Sequence, residues 1–330
     1  MPKASIIITT HNRPRMLPRA VQSARNAGTD VEVIVVDDAS QDETAAVCRD
    51  LSGIRYLRTE TNKKVAGARN VGLMASSGEF ISFLDDDDVR LPQSLDRQIE
   101  ALQSSESDFV YGQALIADQL GAHDGRFSPD WCPQGDVFWK LLERNFIPCG
   151  SVVFRRSSIE RVGMLDESIP GIDDWDLWVR LAAATKVVAV EQPVIVWRAP
   201  TPTSGQGSSM TVDLIALSIS RMRQHWLKLP RAASASRTER REAWRRFSDN
   251  ISEHLIWETA NGLAAGNIRR AWKSARSVLR LHPASPLGVV RRWTRTSTVK
   301  SLTASGFTDS GLANTKQHFK RVRSGLNLTK

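Results

Sequence analysis

Residues 80–88 read Phe-Ile-Ser-Phe-Leu-Asp-Asp-Asp-Asp, an apolar run that ends in four consecutive aspartates. The apolar part is typical of a strand buried in a sheet. Carboxylates this close together raise one another's pKa unless a cation lies among them, and a hard divalent ion such as Mg²⁺ or Mn²⁺ suits their oxygens. An isolated acidic run is more often a solvated turn. The rest of the chain is therefore needed to choose between a metal site and a turn.

Short apolar runs alternate with helical patterns along the first part of the chain. The predicted strands cover residues 5–9, 31–36, 54–57, 80–84 and 109–116, and the helices between them include residues 65–75 and 92–102. This alternation predicts an α/β fold in which helices cover both faces of a mostly parallel, Rossmann-like sheet. Ser40, followed three residues later by Glu43, is a capping-box pattern that predicts the start of a helix.

Three of the predicted strands end in polar residues. These ends are Thr9–Asn12, Asp37-Asp38 and Asp85–Asp88. In open parallel sheets ligands bind beyond the carboxyl ends of the strands, so the three ends are expected to meet in one crevice. The order of elements therefore predicts the place of a binding site.

Four motifs, in order along the chain, resemble those of the family 2 glycosyltransferases. They are residues 5–13 (Ser-Ile-Ile-Ile-Thr-Thr-His-Asn-Arg), 33–40 (Val-Ile-Val-Val-Asp-Asp-Ala-Ser), 67–88 (Gly-Ala-Arg-Asn-Val-Gly-Leu through to the four aspartates) and 173–181 (Asp-Asp-Trp-Asp-Leu-Trp-Val-Arg-Leu). The resemblance extends over about residues 4–200. It implies an A-type glycosyltransferase fold and the transfer of a sugar from a nucleotide diphosphate donor.

The resemblance also implies which residues bind the donor. Asp38 would face the nucleobase, and Asp87 would ligate Mn²⁺ or Mg²⁺, while Asp85 and Asp86 orient the ribose or metal-bound water. A divalent ion there would neutralise charge on the departing diphosphate. Arg69 could pair with diphosphate oxygens through its planar fork, or could form an ion pair on a helix surface. The full predicted donor-binding set is Thr9, Thr10, Asn12, Arg13, Asp38, Arg69, Asp85 and Asp86.

The predicted catalytic residue is Asp174. It lies in the first turn of a predicted amphipathic helix that starts at Asp173, where the helix dipole favours an ionised carboxylate. Such a carboxylate can take the proton of an acceptor hydroxyl that attacks the anomeric carbon, and a single displacement inverts that centre, as the resemblance also implies. Asp173 and Asp174 could instead be capping charges only. Asp176 is predicted to be a structural hydrogen-bond acceptor.

One feature of the family is missing from this chain. Many relatives carry a His shortly after a Tyr-Arg pair, whereas residues 196–200 here read Val-Trp-Arg-Ala-Pro. Arg198 or the serines of residues 204–209 could replace that His. Residues 200–209 are rich in Pro, Gly, Ser and Thr, which predicts a mobile loop over the donor. His11 is interpreted as a hydrogen-bonded structural residue at the end of a strand.

The net charge of +9 is divided unevenly along the chain. Residues 221–330 hold 23 Lys/Arg and 6 Asp/Glu, a net charge of +17, whereas residues 1–220 carry −8. Residues 237–265 and 268–281 have the periodicity of two amphipathic helices joined by a tight turn. Their arginines could form a solvated face on helices packed against the catalytic domain, or a patch that binds anionic lipid. These arginines are Arg240, Arg241, Arg245, Arg246, Arg269, Arg270, Arg276 and Arg280.

The sequence predicts three regions and one principal activity. Residues 1–205 form the nucleotide-sugar-binding catalytic domain, residues 206–293 a basic helical extension, and residues 294–330 a flexible basic tail. The expected activity is metal-assisted, inverting transfer from a nucleotide-diphosphate sugar, with a UDP-sugar favoured by the resemblance, to a glycan, lipid-linked or small-molecule acceptor. A non-catalytic nucleotide-sugar-binding or scaffold protein of the same fold is the alternative. A nucleic-acid partner is disfavoured because no recognised binding motif is present.

The sequence also favours a cytoplasmic location. The three cysteines form no disulfide framework, which fits a reducing compartment. The N-terminus is typical of a first strand rather than a signal peptide, and no apolar stretch approaches the ~20 residues that span a bilayer. The protein is expected to be cytoplasmic, either free or peripheral on the inner face of the membrane.

Overall fold

A computed structural model describes residues 2–198 and 212–281 of the chain. Nine strands lie in these residues: β1 (Ala4–Thr10), β2 (Val31–Asp37), β3 (Arg55–Arg58), β4 (Phe80–Asp85), β5 (Val89–Arg90), β6 (Phe109–Ala117), β7 (His123–Ser128), β8 (Val152–Arg155) and β9 (Val187–Arg198). The five strands predicted from the sequence are all present, with each end within one residue of its predicted place.

Eleven α-helices accompany these strands in the described part of the chain. They are α1 (Leu17–Arg25), α2 (Thr44–Asp50), α3 (Lys64–Ala75), α4 (Ser94–Gln103), α5 (Phe138–Glu143), α6 (Ser157–Val162), α7 (Asp173–Ala184), α8 (Val212–Gln224), α9 (Pro230–Ala233), α10 (Arg237–Ala264) and α11 (Ile268–Leu281). Two short 3₁₀ turns, Cys149–Ser151 and Trp226–Lys228, complete the regular structure.

The strands form one sheet in the order β3-β2-β1-β4-β8-β6-β9-β5, with β7 paired to β6. The strands from β3 to β4 in this order are parallel, as predicted. Beyond β4 the sheet is mixed, because β8 runs antiparallel to both β4 and β6. The predicted fold class, a Rossmann-like sheet with helices on both faces, is confirmed. The sheet is mixed rather than mostly parallel, since four of the eight strand pairings among the described residues are antiparallel.

Alternate side chains of the central strands enter two separate cores. Ile7 and Phe83 belong to the core on the face that α3, α5 and α7 cover. Ile8 and Leu84 belong to the core on the opposite face, which α1 and α4 cover. Because both faces are buried, the one charged residue of β4, Asp85, lies at its end. The polar Ser82 in mid-strand is buried, and its Oγ donates to the carbonyl oxygen of Val152 at 2.7 Å.

Two glycines allow the α3 region to lie close to β1. A Cβ atom at Gly72 in α3 would lie 2.3 Å from Ile7 Cγ2. One at Gly78, in the turn after α3, would lie 2.6 Å from the backbone carbonyl carbon of Ala4. A larger residue at either position would push the chain away from the sheet. This close packing fixes the position of Arg69 in α3 relative to the carboxyl ends of the strands.

The C-terminal helices share a core with the sheet. The ring of Trp175 in α7 lies 4.8 Å from that of Trp226 and 6.3 Å from that of Phe247 in α10, between centroids. Asp176 is fully buried and accepts hydrogen bonds from Trp226 Nε1 at 2.8 Å and Arg221 Nε at 2.6 Å. The structural role predicted for Asp176 is therefore to join α7 to these helices.

The α10–α11 pair forms the predicted αα-hairpin. At the start of α10, Glu239 N donates to Ser236 Oγ at 3.2 Å, and Ser236 N donates to Glu239 Oε2 at 2.9 Å. The turn contains Gly266 with φ +68°. The helices approach so closely that a Cβ atom at Gly262 would lie 2.8 Å from Ala271 N.

The capping box predicted at Ser40 and Glu43 is wrong. α2 begins at Thr44, and Ser40 Oγ instead accepts a hydrogen bond from Asn12 N at 2.9 Å. Asp42 takes the capping role, since its Oδ1 accepts from Thr44 N at 3.0 Å. The hydroxyl of Ser40 bonds to Asn12 because β1 and β2 are neighbours in the sheet, so the segments that follow these two strands are adjacent.

Several predictions fall outside the described residues. They concern the loop at residues 200–209, the tail at residues 294–330 and both boundaries of the basic helical extension. The division into three regions therefore stays a prediction. Across residues 2–198 and 212–281, no helix combines the length and apolar character needed to cross a membrane.

Candidate active site

The three polar strand ends meet at the carboxyl edge of the sheet. β1 lies between β2 and β4, and the register pairs Thr10 with Asp37 and Thr9 with Asp85. Thr10 is buried, and its Oγ1 donates to Asp86 Oδ2 at 2.7 Å. Thr9 remains partly exposed. The three strand ends therefore lie together at one edge, as the order of elements predicted, and ligand binding in a crevice there stays a prediction.

Asp38 lies at this edge with one carboxylate oxygen engaged. Its Oδ1 accepts hydrogen bonds from Thr59 Oγ1 at 2.9 Å and from Lys63 N at 2.7 Å. Within the described part of the chain, its Oδ2 accepts none. A carboxylate fixed through one oxygen can offer the other to a nucleobase or a ribose hydroxyl.

His11 and Asn12 hold the loops after β1 and β2 together. His11 Nδ1 lies 2.7 Å from the carbonyl oxygen of Asp38, in agreement with the structural role expected for this His. Asn12 is exposed, has φ +54° and accepts a hydrogen bond from Gln41 N at 2.8 Å through Oδ1. Asn12 therefore lies at the rim of the crevice.

Arg13 supplies positive charge to the aspartate run. Its Nη1 donates to Asp86 Oδ1 at 2.7 Å and to Asp87 Oδ2 at 2.9 Å. Burial raises the pKa of Asp86 to about 7, against the opposing effects of Arg13 and Thr10. Burial and then the charge of Asp85 raise the pKa of Asp87. Even with Arg13 beside it, the acidic run favours additional positive charge.

Asp88 joins the acidic run to β9. It is buried and accepts a hydrogen bond from Arg198 N at 2.9 Å. Burial and the charges of Asp85 and Asp87 raise the pKa of Asp88 well above its usual range. Arg198 is among the charges that oppose the rise in the pKa of Asp87. It therefore lies near the acidic run, where a substitute for the missing His was expected; residues 204–209 are outside the described residues.

Arg69 joins the acidic run to α7. It lies inside α3, with 5% of its side chain exposed. Its Nη2 donates to Asp85 Oδ1 at 2.8 Å, and its Nη1 donates to Asp173 Oδ2 at 3.3 Å. The guanidinium also lies 5.4 Å from the ring centroid of Phe83. The alternative of a surface ion pair is wrong, because the side chain is buried between β4 and α7.

Asp174 lies in the first turn of α7, beside Asp173. Asp173 is buried and accepts from Gly171 N at 2.9 Å, whereas Asp174 is partly exposed and accepts from Trp175 N at 2.6 Å. Burial, followed by the charge of Asp173, raises the pKa of Asp174 to about 7, with Arg69 opposing. The expectation that the helix dipole favours the ionised carboxylate is therefore wrong, because burial and Asp173 outweigh the dipole. A carboxylate that titrates near neutral pH is suited to proton transfer.

Cys149 belongs to the same surroundings, although it is not among the site residues predicted from the sequence. Burial raises the pKa of its thiol well above the usual range, with Arg69 opposing and the charges of Asp174 and Asp85 adding to the rise. The thiol therefore stays neutral beside the predicted base. Its only signal in the sequence is a Pro-Cys-Gly turn before β8, which does not distinguish it from an ordinary buried cysteine.

The donor chemistry of this edge suits a hard divalent ion. The side chains of Asp85 and Asp87 are 38% and 15% exposed, whereas that of Asp86 is 4% exposed. Among the residues that the structure describes, no three His, Cys, Asp or Glu side chains form a complete metal-binding group. A metal ion at Asp87 would therefore take further oxygen ligands from phosphate and water, as Mg²⁺ commonly does.

The fold places an acidic cluster at the carboxyl edge of an α/β sheet. The sequence profile described as "Glycosyl transferase family 2" matches residues 5–163. An Escherichia coli protein named UDP-Glc:alpha-D-GlcNAc-diphosphoundecaprenol beta-1,3-glucosyltransferase is 30% identical over 191 residues, 56% of this chain and 72% of that protein. A Campylobacter jejuni protein named GalNAc(5)-diNAcBac-PP-undecaprenol beta-1,3-glucosyltransferase is 38% identical over 193 residues, 55% of this chain and 60% of that protein. The chain belongs to the family 2 glycosyltransferases.

Solved structures are similar in fold. The crystal structure of S. aureus TarS 1–349 has a TM-score of 0.51 at 17% identity, covering 82% of this chain and 89% of that one. The complex of the same TarS fragment with UDP-GlcNAc has a TM-score of 0.52 at 15% identity, over the same shares of both chains. The predicted A-type glycosyltransferase fold is confirmed. Among the sequence relatives, the chain spans only part of an uncharacterised glycosyltransferase of Nostoc, with a match that covers 56% of that protein.

Proposed function

We propose that this enzyme transfers a sugar from a UDP-sugar to a hydroxyl of a lipid-linked saccharide, with inversion at the anomeric carbon. The observation that carries the proposal is the position of Asp174. This carboxylate has a pKa of about 7 and shares its electrostatic surroundings with Asp85 and Arg69. This proximity supports the proposal, because a proton acceptor near an acidic run that favours a cation suits metal-assisted transfer from a nucleotide diphosphate.

Asp38 and Thr9 are the residues proposed to receive the nucleoside. Asp38 is held through Oδ1, so its Oδ2 can accept a hydrogen bond from the imide of a nucleobase or from a ribose hydroxyl. Thr9 is partly exposed where β1 reaches the crevice, and Asn12 lies at the rim. Uridine is favoured because the E. coli relative is named for UDP-Glc.

Asp87 is proposed to hold Mn²⁺ or Mg²⁺ together with oxygens of the diphosphate. When bound, such an ion supplies positive charge that stabilises the departing UDP. Arg13 fixes Asp86 and Asp87 through two hydrogen bonds from one nitrogen. Arg69 is proposed to position Asp85 and to add charge near the diphosphate, since its planar fork already bridges two carboxylates.

Asp174 is proposed to be the general base. Its carboxylate takes the proton of the acceptor hydroxyl while that oxygen forms a bond to the anomeric carbon. The bond between this carbon and the diphosphate oxygen breaks, and UDP leaves with the electron pair. One displacement on the face opposite the leaving group inverts the anomeric centre. General-base assistance of this kind contributes about 10²–10⁴-fold to the rate.

The acceptor is proposed to be a saccharide linked through a diphosphate to a polyprenol. The names of the E. coli and C. jejuni relatives both include an undecaprenol diphosphate-linked saccharide. An acceptor of this kind is held in a bilayer, so the enzyme would act at the cytoplasmic face of a membrane. The basic helical extension, residues 206–293, is proposed to make that peripheral contact.

The first test is calorimetric titration of UDP, GDP, TDP and CDP into the full chain, with Mn²⁺ and with EDTA. We expect UDP to bind most tightly, and only with the metal. Asp87→Ala should weaken metal-dependent UDP binding by at least about tenfold, while Asp50→Ala, an exposed change in α2, should not. Equal affinity with EDTA, or after the change at Asp87, would contradict the metal role. Tighter binding of another nucleotide would contradict the donor.

Sugar transfer is tested separately, with UDP-sugars and short polyprenyl-diphosphate saccharides as acceptors. We expect a product of inverted anomeric configuration, measured by NMR. UDP binding without transfer to any acceptor would favour the alternative of a non-catalytic nucleotide-sugar-binding protein. A product that retains the donor's configuration would overturn the single-displacement role of Asp174.

A further inference from the structure

The outer face of α11 carries large apolar side chains. Ile268, Trp272 and Leu279 are 65%, 66% and 46% exposed. They are spaced by four and seven residues, so they lie along one face of the helix. Leu263, near the end of α10, is also 58% exposed. A contiguous apolar stripe of this kind is typical of a surface that meets a partner.

This stripe is not part of the core of the hairpin. The buried face of α11 is formed by other residues, namely Ala271, Ser274, Val278 and Leu281. Of these, Ala271 packs against Gly262 of α10. The α10–α11 pair therefore holds together without the exposed stripe. Among residues 2–198 and 212–281, none buries the apolar side chains of the outer face.

Arginines lie directly beside the apolar stripe. Arg269, Arg276 and Arg280 are exposed, and Arg269 and Arg280 each follow a residue of the stripe. Within residues 2–198 and 212–281, none of the three forms an ion pair. By contrast, Arg245 in α10 pairs with Glu242 at 2.7 Å. The charge beside the stripe is therefore not neutralised by the hairpin itself.

We propose that the α11 face, defined as Ile268, Trp272, Leu279, Arg269, Arg276 and Arg280, binds the surface of an anionic lipid bilayer. The apolar side chains would enter the boundary between headgroups and acyl chains, and the arginines would contact lipid phosphates. This inference deepens the proposed function, and rests on it, because a lipid-linked acceptor places the reaction at a bilayer.

Charge favours a lipid surface over a second copy of the chain. α11 contains no Asp or Glu, so a symmetric pairing of two α11 faces would bring unpaired arginines from both copies together. Like charges buried across an interface are unfavourable. An anionic bilayer instead supplies the missing negative charge and an apolar layer in the same surface.

The test is co-sedimentation of the full chain with vesicles of phosphatidylcholine alone or mixed with phosphatidylglycerol. We expect binding to the anionic vesicles, falling at 1 M salt. The triple variant R269Q/R276Q/R280Q should weaken that binding by at least about tenfold, because each arginine near an anionic surface contributes severalfold. The variant I268S/W272S/L279S should weaken it to a similar extent, because apolar insertion adds to the electrostatic attraction.

A matched control removes the same charge elsewhere. The variant R237Q/R240Q/R241Q changes three arginines at the start of α10 and should keep most of the vesicle binding. An equal loss in this control would mean attraction to net charge alone and would overturn the α11 face. The same holds if the wild-type chain fails to bind anionic vesicles. Light scattering after size exclusion measures the oligomeric state. A wild-type dimer that the variant I268S/W272S/L279S dissociates would mean that a second copy, and not a bilayer, covers the α11 face, and would also overturn the proposal.

The same variants separate this inference from the proposed function. None of the changed residues lies in the crevice, so UDP titration and thermal unfolding should match the wild type. Vesicle binding lost with UDP binding retained assigns the effect to the membrane contact. If the wild-type protein binds anionic vesicles but neither UDP nor another nucleotide, the proposal of a UDP-sugar donor is contradicted. The proposal that the α11 face binds lipid is then still supported.

Discussion

The proposed catalytic role of Asp174 requires an ionised carboxylate, and this ionised form is expected to lower the stability of the native state. Its carboxyl group has a pKa of about 7, raised from 3.8 by burial and then by the charge of Asp173. The native state therefore binds this proton more tightly than the unfolded chain does. As pH rises from about 4 to about 7, the free energy of unfolding is expected to fall, because the ionised carboxylate is disfavoured in the native state.

Asp174→Asn tests both sides of this argument. Turnover should fall by at least about 100-fold, because the base is lost. UDP binding should persist. Because a negative charge that is disfavoured in the native state is removed, Tm should rise, and it should rise more at pH 8 than at pH 5. Steady-state kinetics and thermal unfolding at the two pH values measure these effects, with Asp50→Asn as the exposed control. Near-normal turnover would exclude Asp174 as the base.

The pH dependence of catalysis should follow the same group. A base must be ionised to accept a proton, so kcat/KM should rise with pH and level off above about 7. Asp174→Asn should abolish this dependence in the residual activity. The pKa of Asp86 is also about 7, but its carboxylate bonds to Arg13 and Thr10, so Asp86→Asn should keep the pH profile. A profile lost with Asp86 and kept without Asp174 would reverse the assignment.

At the scale of elements, α7 connects the site to the C-terminal helices. Its first turn carries Asp173 and Asp174, and Arg69 ties that turn to the acidic run by bonding both Asp173 and Asp85. The next carboxylate, Asp176, is fully buried and faces α8. Burial acts to raise the pKa of Asp176, but the hydrogen bond from Arg221 and the charges of Arg180 and Arg221 hold it below its usual value. The position of the proposed base thus depends on the packing of distant helices.

Asp176→Asn is expected to destabilise the fold strongly. The change removes one carboxylate partner of Arg221 from a buried site. Removing one partner of a buried ion pair lowers the free energy of unfolding by about 3–5 kcal/mol. Urea denaturation measures the loss. The control is Asp213→Asn, which removes an exposed ion pair with Lys273 between α8 and α11 and should change the free energy of unfolding by less than ~1 kcal/mol. Similar losses in the two variants would contradict the central role of Asp176.

The whole molecule joins parts of opposite net charge through one core. The acidic N-terminal residues carry the crevice and the basic C-terminal residues carry the α11 face. Between them, Trp175, Trp226 and Phe247 belong to the same hydrophobic core as the sheet residues Ile7 and Phe83. A helical extension held by such a core can place a membrane contact at a fixed distance from the active site.

This shared core predicts cooperative unfolding. We expect tryptophan fluorescence and far-UV circular dichroism to report one coincident transition in urea, because the C-terminal helices and the sheet bury the same side chains. Two separate transitions would contradict that expectation. They would indicate that residues 206–293 unfold as a unit of their own.

Much of the fold could be predicted because its signals are local. The apolar runs at residues 5–9 and 80–84 report strands, and their polar ends report the crevice, since both follow from the period of a strand and the order of elements. The capping box predicted at Ser40 is wrong because its hydroxyl bonds to a residue that is distant in sequence, which a local pattern does not show. Asn12, from a neighbouring strand end, takes the hydroxyl that the pattern assigns to the helix.

The sequence by itself determined the order of strands and helices, the family resemblance and the residue types at the carboxyl edge. Only the tertiary structure decided which charges meet: Arg13 with Asp86 and Asp87, Arg69 with Asp85 and Asp173, and Asp176 with Arg221. Periodicity depends on neighbours along the chain, whereas these ion pairs join residues from 16 to 104 positions apart and arise only when packing brings their elements together.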